Sequence, residues 1–500
     1  MIREIEKLIE YADVYGRATS EIESIEDLIK QNPKQANQIE QQMIAVLRQV
    51  PMSDEYFVFY MSALIKIFER EQYLELLIDS ALSSENLSLQ NKDYIWHNAE
   101  NFLVKHPQCE TQTVREKMYQ LRQWIYKEMR NQVEIHPVKK EDRNPKRVMV
   151  VQRTFLGESH APTHSALERC YMLAQMGMEV YYVATREGTY TEVTPYYYGG
   201  VMNIIDELNG RAMCPYKDKE FFFFQGSQPV NTKSGLQNLI DFVEEINPYY
   251  ILYVDVESYV ADILNEICPV AALSVTFSKL RDYNTAFAMI GRTVTNSERE
   301  EHPYEIIEVP FTFELKEKGQ SFTRAELGIP EDAFVMPIVG LRLDYDVSDE
   351  FLEHIQKIEN GFLLFIGVYN NYEQKQIQYP WLREHSVYVG KVDEVIGRLE
   401  CADLYVNPKR LGGGFSVIEA FHAGIPAVTI NYGDVAAAAG KEFCVSDYDE
   451  MIEMIRRYQY DTEFYEKQMQ IAREREAVMT NGRAVFERGI RQMLDSPRFY

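Results

Sequence analysis

Three consecutive glycines, Gly412, Gly413 and Gly414, follow a basic pair, Lys409 and Arg410, and precede Phe415, Ser416 and Glu419. Glycine lets backbone N–H groups approach a ligand without a Cβ in the way. A helix opening just beyond such a loop offers unsatisfied first-turn N–H groups and the positive end of its dipole. That pattern binds anions, and a diphosphate fits it, with Lys409 and Arg410 as local positive charge. The apolar residues 404–406 read as the strand before the loop, the helix opens near Ser416, and 427–430 read as the next strand. The loop therefore lies at the carboxyl end of a sheet, where ligands bind in open α/β folds. Ser416 and Glu419 have the spacing of a capping box, which would keep Glu419 close to the loop.

Other residue clusters point to weaker chemistry. Asp344 and Asp346 flank Tyr345, and two carboxylates in a loop can hold a divalent cation. The string is short and the chain is rich in acids, so no metal site is expected there. His160 and His164 straddle Pro162 without the glutamate that zinc hydrolysis requires. Asp255 and Glu257 follow an apolar strand and are candidate bases for an acceptor hydroxyl, with a plain helix-start role as the alternative. The six cysteines, from Cys109 to Cys444, form no close pair, which points to reduced thiols and a cytoplasmic protein.

These residues need elements to position them. From residue 2 to about 133 the apolar positions follow a helical period, as with Met118, Leu121, Ile125 and Met129. Breaks are expected near Pro33, Pro51 and Pro107, and the charged, proline-bracketed stretch 137–146 reads as a linker. The pattern then changes to buried strands alternating with helices. Strands are expected at 148–152, 179–183, 250–254, 293–295 and 306–309, and again at 334–340, 362–366, 387–389, 404–406 and 427–430. The aromatic run 221–224 reads as strand or core. With 52 Lys and Arg against 77 Asp and Glu, the formal net charge is −25, which repels nucleic acid backbones and anionic membrane surfaces. No apolar run reaches the roughly 18 residues of a membrane span.

The stretch 407–434 also resembles the donor-site signature of GT-B glycosyltransferases: a glycine-rich loop, a helix with Glu419-Ala420, then Gly424-Ile425-Pro426 and Gly433-Asp434. The resemblance is clearest over 334–471, weaker over 147–310 and absent from the first hundred-odd residues. It implies an α/β fold class of GT-B architecture, two Rossmann-like doubly wound domains preceded by an all-α domain. The boundaries are 1–143 for the helices, 144–318 for the acceptor-side domain and 319–480 for the donor domain, with 481–500 a C-terminal helix crossing back. It also implies transfer of a sugar from a nucleoside diphosphate sugar, a UDP-sugar being the expected donor, with no resident cofactor. Arg342 would contact the donor phosphates, Glu419 the ribose hydroxyls, and Gly157 and His160 the donor sugar.

The family often carries a lysine five residues after that arginine, where this chain has Val347, so Lys409 or Arg410 is the expected substitute. Many retaining members have a glutamate eight positions before the Glu419 counterpart; here that position is Leu411, which leaves the stereochemical outcome open. The helical region resembles soluble bacterial protein glycosyltransferases, which makes a polypeptide acceptor the expectation, with a glycan or lipid-linked acceptor as alternative. A catalytically silent module that assists a partner enzyme is the rival reading, and a homo- or hetero-oligomer is open under either.

Overall fold

The computed structural model describes the chain except residues 1–3, 6, 8–14, 50–51, 159, 192, 194–195, 198, 201–203, 255–256, 275–279, 281–283, 311, 394 and 500. The chain divides into two compact units, Met1–Leu273 with Arg281–Ala288 and Pro497–Tyr500, and Ser274–Leu280 with Met289–Ser496.

The first unit opens with helices at Tyr15–Gln31, Ala36–Gln49, Asp54–Phe68, Glu71–Ser83, Leu89–Lys105 and Gln112–Arg130. Their starts follow from local chemistry: the side chains of Ser53, Ser88 and Thr111 accept the N–H groups of Tyr56, Asn91 and Val114. The helical period places Met118, Leu121, Ile125 and Met129 in the core. Strands β1 (Asn144–Gln152), β2 (Glu179–Ala184), β3 (Gly210–Tyr216), β4 (Lys219–Gln225), β5 (Pro248–Val254) and β6 (Val270–Leu273) pair in the order β3-β4-β2-β1-β5-β6. All these pairs are parallel except β3 with β4. The aromatic run 221–224 is strand, inside β4.

Helices and sheet share one hydrophobic core, in which Ile22, Leu64, Leu77 and Leu121 join Met149, Val151, Ile240 and Val260. A buried ion pair between Arg122 and Asp262 and a bridge from Arg130 to Glu266 at 2.7 Å fix the helix Gln112–Arg130 to the α/β layers. The charged stretch 137–146 is held as well: the Val138 N–H donates to the Ile267 carbonyl at 2.9 Å, and residues from Asn144 on belong to β1.

The chain leaves this unit through β7 (Phe287–Ile290), whose four residues are all buried. The strand expected at 293–295 does not form. Thr295 instead caps the helix Asn296–Glu301 in a capping box with Glu298, so its side chain serves a helix start and the strand falls on the apolar residues before it. In the second unit β8 (Glu305–Glu308) is followed by β9 (Phe334–Gly340), β10 (Gly361–Gly367), β11 (Ser386–Tyr388), β12 (Tyr405–Asn407), β13 (Ala427–Ile430) and β14 (Cys444–Val445). Two parallel sheets result, β11-β10-β9 and β12-β13-β14. The N–H groups of Asp403 and Leu404 donate to the Val335 carbonyl, which sets β12 beside β9.

Both sheet faces are covered. Val335, Leu364 and Ala427 enter one core, and Met336, Leu363 and Val428 the other, which explains why these strands read as continuous apolar runs. The closing helices are Tyr448–Tyr460, Thr462–Met479 and Gly482–Asp495. In the last of them, a Cβ on Gly489 would stand 2.5 Å from Val309 Cγ2, so this helix lies close against the segment after β8. Among the described residues no helix is long and apolar enough to cross a membrane.

Asp93, on the helix Leu89–Lys105, is buried beside Asn231, and burial, with Glu187 adding to it, pushes its carboxyl up to about 7. A raised carboxyl means that the folded state binds the extra proton between about pH 4 and 7, so this group's contribution to stability is lost as pH rises through that window. Asp93→Asn removes the loss. The variant is expected to gain stability relative to the parent when urea unfolding is compared at pH 8 and pH 5; an equal difference at both values would show that Asp93 is not the group responsible.

Candidate functional site

The glycine loop connects β12 to the helix Gly414–His422. That helix opens two residues earlier than its sequence suggests, because Gly413 takes φ +105° and serves as the N-cap. A Cβ there would stand 2.6 Å from Asn407 Oδ1 and 2.9 Å from Arg410 Nη2, so the position demands glycine on two grounds. The capping box expected from Ser416 and Glu419 is not formed, since Ser416 is already the third helical residue and no side chain caps this terminus. The first-turn N–H groups are left for a ligand. Glu419 is buried inside the helix.

Arg410 is buried, and its guanidinium is taken up by the protein. Nε donates to Asn407 Oδ1 at 2.8 Å, Nη2 to the Val339 carbonyl at 2.7 Å and to Tyr405 Oη at 3.3 Å, and Nη1 to Asp346 Oδ2 at 3.1 Å. It ties the end of β9 to the end of β12. Lys409 is exposed, with its ammonium 5.7 Å from the centre of the Tyr432 ring. Neither carboxylate of the Asp344-Tyr345-Asp346 string stands open: Asp346 pairs with Arg410, and Asp344 accepts the Asn371 N–H and the Asn370 amide at 2.8 Å. Those donors hold the Asp344 carboxyl below its usual range. Among the described residues no cluster of three or more His, Cys, Asp or Glu side chains could hold a metal ion.

Arg342 follows β9 directly, is exposed, and makes no ion pair among the described residues. Its Nη2 lies 3.8 Å from where a Cβ on Gly412 would stand, which brings the β9 and β12 loops to one cleft. The cleft encloses about 240 Å³ and is lined by Arg342, Asp346, Lys391, Arg410, Gly412, Gly413 and Ser416 among others. Lys409, Gly414, Phe415 and Glu419 are neighbours in the chain that do not line it. Phe415 is exposed and stands edge-on against Phe313, with ring centres 5.6 Å apart. Lys391, absent from the sequence reading, enters from the loop after β11. Its signal was positional: Gly390-Lys391 follows the strand expected at 387–389, at the carboxyl end of a parallel sheet.

The remaining candidates belong to the first unit. Gly157, at φ +84°, lies in the loop after β1, and its carbonyl accepts the His160 N–H at 3.1 Å. His160 precedes the helix Ala161–Gln175 and shares a hydrogen bond of 2.9 Å between Nδ1 and Thr163 Oγ1. Glu257 follows β5 and is buried, and its backbone carbonyl accepts Arg153 Nη2. β1 and β5 are adjacent where the strand order reverses, so these loops meet at a switch point of the sheet. Asp255 lies outside the described residues.

Residues 337–461 match the family model "Glycosyl transferases group 1". The matched span covers β10 to β14 and every residue named as lining the cleft. No curated protein matches the chain. Among solved structures, a glycosyltransferase from Rickettsia africae ESF-5 is similar at 9% identity and a TM-score of 0.49, covering 70% of this chain and 98% of that one. A mutant of the Thermobaculum terrenum O-GlcNAc transferase covers 99% of this chain and 98% of its own at 10% identity and a TM-score of 0.48. The pneumococcal O-GlcNAc transferase GtfA, in complex with UDP and GlcNAc, covers 71% of this chain and 100% of its own at 8% identity and a TM-score of 0.42. All three fall below a TM-score of 0.5, and the family match over residues 337–461 stands apart from them. The second unit thus contains the stretch, residues 337–461, that matches the group 1 glycosyltransferase family.

Arg410→Ala would leave the Asp346 carboxylate and the Val339 carbonyl without their partner at the junction of two strands. Removing one member of a buried pair costs about 3–5 kcal/mol, so urea unfolding of the variant should show a loss of that order. Lys409→Ala, on the surface, should stay within about 0.5 kcal/mol of the parent.

Proposed function

We propose that the protein transfers a sugar from a nucleoside diphosphate sugar, with uridine diphosphate as the expected carrier, to an acceptor hydroxyl. The observation that carries this reading is the juxtaposition in one cleft of a helix N-terminus without a side-chain cap, the glycine loop and the guanidinium of Arg342, which makes no ion pair among the described residues. As the glycosidic bond breaks, negative charge accumulates on the departing diphosphate. Loop N–H groups, the helix dipole and Arg342 stabilise that charge without reorganising, which is usually the largest catalytic contribution. His160 and Glu257 are the proposed groups on the acceptor side, supported by their positions after β1 and β5.

A polypeptide is the proposed acceptor. The six helices from Tyr15 to Arg130 share a core with the acceptor-side sheet and supply surface that donor chemistry does not need. The cytoplasm is the proposed compartment, in keeping with six free cysteines.

Arg342→Ala tests the reading. A charge-assisted contact to phosphate contributes about 1.5–3 kcal/mol, so calorimetric titration should show diphosphate affinity falling by that amount while the melting temperature holds. Unchanged affinity would remove Arg342 from the site. Release of free sugar from a panel of nucleotide sugars, followed by mass spectrometry, is expected from the parent protein.

Transfer is expected to persist in excess chelator, because side-chain and backbone donors occupy the place where a cation would neutralise the diphosphate. Activity abolished by chelator and restored by manganese or magnesium would count against this arrangement and return Asp344 to consideration.

A further inference from the structure

Position 347, where a second phosphate-binding lysine is often found, holds a valine, and the side chain of Val347 is buried in a core. The two cations expected to replace that lysine do not stand open to a ligand. Arg410 directs all three of its nitrogens at protein acceptors, and its charge is balanced by Asp346. Lys409 does not line the cleft, and its ammonium rests by the Tyr432 ring. Lys391 does line it, is exposed, and makes no ion pair among the described residues.

The backbone fixes how Lys391 gets there. β9, β10 and β11 run parallel, so their carboxyl ends fall on one edge. Gly367, ending β10, donates its N–H to the Gly390 carbonyl at 2.9 Å, which anchors the β11 loop one residue before the lysine. The Val368 N–H donates to the Gly340 carbonyl at 2.9 Å, which anchors the β9 loop two residues before Arg342. Two cations from different strands, neither in an ion pair among the described residues, are thus held beside the same glycine loop, as one diphosphate with two charged groups requires.

We infer that Lys391 is the second phosphate-binding cation of the donor cleft, doing from the β11 loop what a lysine at position 347 would do from the β9 loop. This rests on the reading of the cleft as a nucleoside diphosphate site. A flexible ammonium suits the task, since it follows the diphosphate from the bound donor to the released product as a mobile point charge.

The test is calorimetric titration of the full-length protein with uridine, guanosine and adenosine diphosphates, then with the monophosphate of whichever binds. Lys391→Ala is expected to weaken the diphosphate roughly tenfold or more, to weaken the monophosphate less, and to leave the melting temperature unchanged. Lys391→Arg should restore most of the affinity, and Lys409→Ala should change it less than twofold. If Arg342→Ala weakens the diphosphate while Lys391→Ala does not, the inference about Lys391 is wrong and the donor site stands. An equal loss of mono- and diphosphate binding would also overturn it, by placing the lysine elsewhere on the nucleotide. If no diphosphate binds the parent protein, the donor site and the inference fall together.

Discussion

The cleft beside the glycine loop depends on one guanidinium. Arg410 reaches from the loop after β12 to the Val339 carbonyl near the end of β9, holds Asn407 and Tyr405 on its own strand, and pairs with Asp346 beyond β9. Each acceptor is buried or nearly so, and an unpaired polar group at such a depth costs far more than the net gain of an ordinary hydrogen bond. The arginine therefore has little freedom to leave. Gly413 is the counterpart of that constraint, because the guanidinium and Asn407 fill the space that any Cβ at this position would occupy. A charge placed beside the glycine loop thus shapes the loop, and the charges left open to the cleft come from elsewhere.

The sheets make this placement reproducible. In the second unit both faces are covered, the hydrophobic effect fixes each strand to its neighbours, and the loops at the carboxyl edge inherit their positions from the strand order. In the first unit the same logic extends to the helices. Their apolar faces complete the core under β1, β5 and β6, and buried charges mark the junction: Arg122 with Asp262, and Arg153 donating to the Glu257 carbonyl beside His97. Burial with the Arg153 charge holds the His97 imidazole down at about 3, so it remains neutral there. Removing the helices would uncover this core, which makes the region part of the unit that carries the proposed acceptor groups.

Much was legible in the sequence because it depends on local pattern. A strand buried on both faces must be continuously apolar, so β9, β10 and β13 could be read within a residue or two of their ends, and an amphipathic helix must repeat its apolar residues every three to four positions. Glycines in a row after such a strand announce a close backbone approach whatever the rest of the chain does. Local pattern also misled. Ser416 and Glu419 have capping-box spacing, yet a left-handed glycine can end the turn earlier without any side chain, and Thr293 to Thr295 have strand-like branching, yet Thr295 is used as a cap.

What the sequence determined by itself was the alternation of buried strands and helices between residues 334 and 430, the glycine loop and the presence of Arg342 after a buried strand, because each follows from residues adjacent in the chain. What only the tertiary structure decided was which charges are available. Lys409, Arg410, Asp346 and Lys391 are equivalent in sequence as charged residues near strand ends. Their roles diverge when folding brings Asp346 to Arg410 across 64 positions, rests Lys409 by an aromatic ring, and leaves Lys391 in the cleft with no ion pair among the described residues. Electrostatic energy depends on distance in space, and a chain fixes that distance only between near neighbours.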